Sequence, residues 1–154
     1  MADRNIKGIT VEIGGDTTGL DKALKDTETN SKKAASELRS IDRALKDAPQ
    51  NAVLWQQKQV VLNKALEESK KKLKVLEDAQ EQVNKQFEKG DITAEQYRAF
   101  QREVEKSKSE VGRLESQVEN VNREIENLGK VSDDTAEGVQ ELGESADDTA
   151  YEVK

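Results

Sequence analysis

At 154 residues the chain is long enough for one domain, but with 33% hydrophobic and 37% charged residues it is poor in core and rich in surface. It contains neither Cys nor His, which excludes disulfides, thiolate or imidazole metal sites, and Ser-His or Cys-His nucleophile pairs. The net charge of -7 is gathered in residues 131–154, while residues 1–130 balance 24 acidic against 24 basic side chains and offer no basic excess to a nucleic acid.

Ala, Glu, Lys, Leu and Arg make up about 46% of the chain, close to the share that marks a long helix or coiled coil when a heptad pattern accompanies it. Met1–Asn5 lacks the apolar stretch of a signal peptide. The longest apolar run, Ala52–Trp55, is far short of a membrane span. A soluble, intracellular setting is the expectation, and no residue pattern calls for a cofactor.

In chain order, residues 1–15 hold one strand and its break. Ile9, Val11 and Ile13 alternate with Gly8, Thr10 and Glu12 over Ile6–Ile13, and Gly14-Gly15 ends the run. No second strand is read in the sequence. The backbone groups of a lone strand need a partner edge. The strand is therefore either laid on helices or paired with another copy or another protein. Ile9, Val11 and Ile13 are candidate interaction residues.

A first helix is expected over residues 16–48, capped by Asp16, Thr17 or Thr18. Its seam runs Leu20, Leu24, Thr27, Ser31, Ala34, Leu38, Ile41 and Leu45. The middle of that seam is small and polar, so the helix should be held at its two ends, as the third helix of a bundle. Asp47-Ala48-Pro49-Gln50-Asn51 ends it, with Asp47 or Asn51 free to cap the next helix.

Residues 49–130 read as a long helical hairpin. The first arm, to about Glu88, places Trp55, Gln59, Leu62, Leu66, Ser69, Leu73, Leu76, Gln80, Val83 and Phe87 on one seam. The second, from about Ala94 to Leu128, answers with Tyr97, Phe100, Val104, Ser107, Val111, Leu114, Val118, Val121, Ile125 and Leu128. Between them, Gly90 suits the left-handed position that ends a helix. Thr93 and Gln96 have the spacing of a capping box, flanked by Ile92 and Tyr97 at the staple positions. Trp55, the only Trp, is either an anchor of the chain's own core or a partner hot spot.

Two antiparallel registers compete. One faces Phe87 with Phe100, Val83 with Val104, Leu73 with Leu114 and Gln80 with Ser107. The other, a heptad away, faces Gln80 with Phe100 and Leu73 with Ser107. Burying an amide against a phenyl ring without a partner costs roughly 1–3 kcal/mol, which favours the first. That register asks for a tighter turn than Gly90 and Thr93 suggest.

After Leu128, Gly129 is a stop signal, and residues 131–154 form an acidic segment in which Asp133-Asp134-Thr135-Ala136 recurs as Asp147-Asp148-Thr149-Ala150. Its charge and few large apolar groups favour a weakly ordered tail. The acidic pairs lack EF-hand ligand spacing. Lys70-Lys71-Lys72 and Lys74 are flanked by Glu67, Glu68 and Glu77, as on a solvated helix face. Gly14-Gly15-Asp16-Thr17-Thr18 lacks the glycine spacing and lysine of a phosphate loop. The fold class expected is all-α: an elongated antiparallel coiled-coil hairpin with a third packed helix, a short N-terminal strand and an acidic tail.

Ile6-Lys7-Gly8-Ile9-Thr10-Val11-Glu12-Ile13-Gly14-Gly15-Asp16-Thr17-Thr18-Gly19-Leu20 and then Leu24 resemble the N-terminal region of phage tail tape-measure proteins. So do Ser36-Glu37-Leu38 through Leu45, the Pro49/Asn51 turn, Gln57-Lys58-Gln59 with the Leu62–Leu76 helix, and Gly90-Asp91-Ile92-Thr93-Ala94-Glu95-Gln96-Tyr97. The resemblance covers about residues 5–128. Family members often show Asp-Pro directly where this chain has Asp47-Ala48-Pro49.

The resemblance implies a non-enzymatic structural role in a phage or prophage: templating the tail tube and setting tail length. The setting would be the virion tail, and the host cytoplasm during assembly. It implies tail-tube subunits, tail-assembly chaperones and further copies as partners, through the strand or the heptads, and a chain that is the N-terminal part of something longer. The competing expectation is a free-standing coiled-coil adaptor or chaperone-like hairpin that binds protein clients. A ruler gains about 1.5 Å per helical residue, whereas a closed hairpin adds no net length. The region is therefore either a terminal cap or a bundle that opens.

Overall fold

The computed structural model describes residues 6–131; the expected acidic tail lies almost wholly outside the described residues. The described chain is mostly helical (81%). Its order is β1 (Thr10–Ile13), β2 (Asp16–Gly19), α1 (Leu20–Ala23), α2 (Lys25–Asp47), α3 (Ala52–Glu88) and α4 (Ala94–Val131). It divides into two compact units, one of residues up to Ser31 with Glu68–Gly112, the other of Lys32–Glu67 with the chain from Arg113.

The N-terminal stretch departs from expectation. Ile6–Gly8 is a turn, with the Ile9 N–H donating to the Ile6 carbonyl at 3.0 Å. The strand beyond it is not alone. β1 pairs antiparallel with β2, Val11 opposite Thr18 and Ile13 opposite Asp16. Gly14 and Gly15 form the two-residue connection, at φ 59° and 88°. Positive φ at both central residues is the condition for the hairpin turn whose twist matches that of the strands. The expected helix cap at Asp16, Thr17 or Thr18 is thereby overturned, because all three residues belong to β2. Gly19 takes the cap position without a side-chain bond, and the helix starts at Leu20.

In the first unit, the core joins Ile6, Ile9 and Val11 from the N-terminal stretch to Leu20 and Leu24. On the same cluster lie Leu76, Ala79 and Val83 of α3, Ile92 of the turn, and Ala99, Phe100 and Val104 of α4. Thr27 is buried too, and its hydroxyl donates to the Leu24 carbonyl at 2.9 Å. That local bond lets a polar side chain occupy a seam position.

The expected register is corrected here. The Tyr97 hydroxyl donates to Asn84 Oδ1 at 2.7 Å, and the Ser69 hydroxyl donates to Glu110 Oε1 at 3.0 Å. The two helices thus run in opposite senses with tie points one heptad from the favoured pairing. They fit the second of the two registers. Phe87 does not face Phe100: it stacks on Tyr97, ring centroids 4.3 Å apart, and is 39% exposed, whereas Phe100 is fully buried. The cost of an unpartnered amide does not arise, since Gln80 Nε2 donates to Asn84 Oδ1 at 2.9 Å.

In the second unit, Ile41 and Leu45 of α2 bury with Val61 of α3. Leu62 and Ala65 of α3 bury with Leu114 and Val121 of α4, and Ala34 and Leu38 pack against both groups. Asn51 caps α3, its Oδ1 accepting from the Leu54 N–H at 3.1 Å. α4 continues through Gly129 to Val131 instead of stopping at Leu128. A helical glycine costs only about 1 kcal/mol relative to Ala, so a single one weakens a helix without ending it.

Candidate functional site

The densest set of specific polar contacts gathers where α3 ends and α4 begins, inside the first unit. α3 closes with two bonds: the Gly90 N–H to the Phe87 carbonyl at 3.0 Å, and the Asp91 N–H to the Gln86 carbonyl at 2.8 Å. This pair is the Schellman closure, and it requires the left-handed backbone that Gly90 adopts at φ 80°. α4 then opens with a reciprocal box. Thr93 Oγ1 accepts from the Gln96 N–H at 3.0 Å, and Gln96 Oε1 accepts from the Thr93 N–H at 2.8 Å. Ile92 is buried in the unit's core and Tyr97 packs against that core, as the staple spacing anticipates.

Across this turn lies the N-terminal stretch, held by three glutamines. Gln82 Oε1 accepts from the Glu12 N–H at 2.7 Å, while Gln82 Nε2 donates to the Glu12 carbonyl at 3.1 Å. Gln86 Nε2 donates to the Thr10 carbonyl at 2.7 Å. Gln96, already part of the capping box, donates its Nε2 to the Lys7 carbonyl at 2.8 Å. The spacing has a geometric reason. Four residues of helix rise about 6.0 Å and two of strand about 6.6 Å, so Gln82 and Gln86 step in time with Glu12 and Thr10. Side-chain amides do on one edge of β1 what a neighbouring strand would do.

The candidate interaction residues fall in different places. Ile9 and Val11 are 0% and 2% exposed, inside the chain's own core, and present no side chain to a partner. Ile13, at the hairpin tip, is 47% exposed. Trp55 is half-buried and packs on both apolar clusters of the second unit. Its Nε1 donates to the Pro49 carbonyl at 2.8 Å, and Lys58 Nζ stands 5.5 Å from the ring centroid. Sequence reasoning does not single out Gln82 and Gln86; their only signal is a four-residue spacing on α3.

The lysine-rich stretch is paired. Lys72 Nζ lies 3.4 Å from Glu103 and 3.6 Å from Glu28, Lys71 lies 3.4 Å from Glu68, and Lys74 lies 3.5 Å from Asp78. Glu103 of this network is itself buried, as are Ser69 and Ser107, so the first unit buries polar as well as apolar side chains. Among the described residues no group of three or more acidic side chains is placed to hold a metal ion. No described helix is long and apolar enough to cross a membrane.

The chain matches no family model, no curated protein and no solved structure.

Proposed function

We propose that the chain is the folded N-terminal head of a phage or prophage tail tape-measure protein. In this reading α3 and α4 are the arms of an antiparallel coiled-coil hairpin, with α2 as the third helix. What supports it is that the fairly specific opening stretch of the resemblance, Ile6–Leu24, contributes to the core of the first unit, and that Gly90–Tyr97, which also fits it, forms the turn. A closed hairpin contributes no net length, so the head does not measure. It anchors, presenting itself to tail-tube subunits, tail-assembly chaperones or further copies, in the host cytoplasm during assembly and then in the virion tail.

The test removes one heptad from α3 and the matching heptad from α4 in the virus and measures tail length by electron microscopy. Tails of unchanged length are expected. Shortening by about 21 Å, the rise of the fourteen helical residues removed, would overturn the head reading. Absence of the chain from purified tails would overturn the tape-measure assignment itself.

A further inference from the structure

We propose that Ile6–Leu24 is a strap that holds the α3–α4 turn shut and has to lift before the two helices part there. The inference rests on contacts within the first unit and not on the tape-measure reading. The strap is fastened to both helices at once. Gln82 and Gln86 hold it from α3, and Gln96 holds it from α4. Its buried side chains Ile6, Ile9, Val11, Leu20 and Leu24 share one cluster with residues of both helices.

The two kinds of fastening have different weights. The four side-chain amide bonds lie at exposed positions, where each exchanges for a bond to water and contributes a modest net stabilisation. The apolar side chains are 0–2% exposed, and their burial contributes more. Burial therefore supplies the hold and the glutamines set the alignment. Gln96 adds a coupling: the amide that caps α4 through its oxygen grips Lys7 through its nitrogen. Lifting the strap uncovers Leu76, Val83, Phe100 and Val104, and the turn is left to its own caps.

The experiment uses the full chain and amide hydrogen exchange followed by mass spectrometry. Val11→Asp places a charge where Val11 is 2% exposed, and exchange along Leu76–Glu88 and Ala94–Val104 should speed up roughly tenfold or more. Peptides of the second unit, 54–66 and 114–125, serve as the internal reference. Because that variant could unfold the whole unit, a second arm closes the strap instead. The chain has no native Cys, so Thr10→Cys with Gln86→Cys can be joined by a short bismaleimide at the site of a hydrogen bond. Exchange on both sides of the turn should slow on linking, relative to the same protein unlinked. If linking leaves exchange on the α4 side unchanged, the strap does not govern the turn. The proposal is equally overturned if Val11→Asp frees the strap while both helix segments keep wild-type protection.

Discussion

Gln96 is where the cap of α4 and the N-terminal stretch meet, and two substitutions separate its roles. Gln96→Ala removes an acceptor 2.8 Å from the Thr93 N–H and a donor 2.8 Å from the Lys7 carbonyl. An exposed bond of this kind is worth about 0.5–1.5 kcal/mol net. Water can reach both orphaned groups, so the loss of the two bonds should cost about 1–2 kcal/mol. Gln96→Glu keeps the acceptor for Thr93, and its charge in the first helical turn adds about 0.3–1 kcal/mol. It abolishes the donor to Lys7 and sets a carboxylate against that carbonyl. Residue-level amide exchange by NMR is the assay. Thr93 should lose protection in the Ala variant and keep it in the Glu variant, while Ile9 should lose protection in both. Wild-type protection of Ile9 in Gln96→Glu would refute the coupling, and so would a Gln96→Ala protein as stable as wild type.

Gly90→Ala should cost about 1 kcal/mol in urea unfolding. No atom lies within 4 Å of the added Cβ, so the whole penalty is the left-handed backbone at φ 80°. A much larger loss would contradict the open space around that Cβ. Phe100→Ala, which empties a fully buried site in the cluster shared by strap and helices, should cost about 3–5 kcal/mol by the same measurement. A loss below about 1 kcal/mol would mean that Phe100 is not central to that core.

The features legible in the sequence are local ones. Thr93 and Gln96 bond each other across one helical turn, and Gly90 closes α3 through carbonyls only a few residues back, so neighbours in the chain decide their chemistry. The long apolar seams mark α3 and α4 for the same reason. β2 escapes sequence reasoning because Thr serves equally as helix cap and strand residue, and Gly14-Gly15 suits the end of a strand as well as a turn. Two adjacent glycines between β-branched runs are also a hairpin signal. The register fails on a cost charged without its compensation. Gln80 is not short of a partner: Asn84, one turn further on the same helix, supplies it and also receives Tyr97. The four-residue spacing of Gln82 and Gln86 is the glutamine clamp's one trace in the sequence, and it does not reveal their distant backbone partners. The clamp's bonds join residues 70, 76 and 89 positions apart, side chain to backbone, and such contacts leave no periodicity.

Those separations also bear on the order of assembly. Tyr97 and Asn84 meet across 13 residues, whereas the strap meets its glutamines across 70 or more. Loop closure grows costlier with length, though slowly, by about 0.6 kcal/mol per doubling. The turn and its helical arms therefore have the shorter path to their contacts, which predicts that the strap docks onto a surface already formed. Until it docks, Leu76, Val83, Phe100 and Val104 lie uncovered in a pair of helices whose caps contribute only about 0.5–2 kcal/mol each. On this order of assembly, the docking of Ile9 and Val11 is the step that covers those side chains.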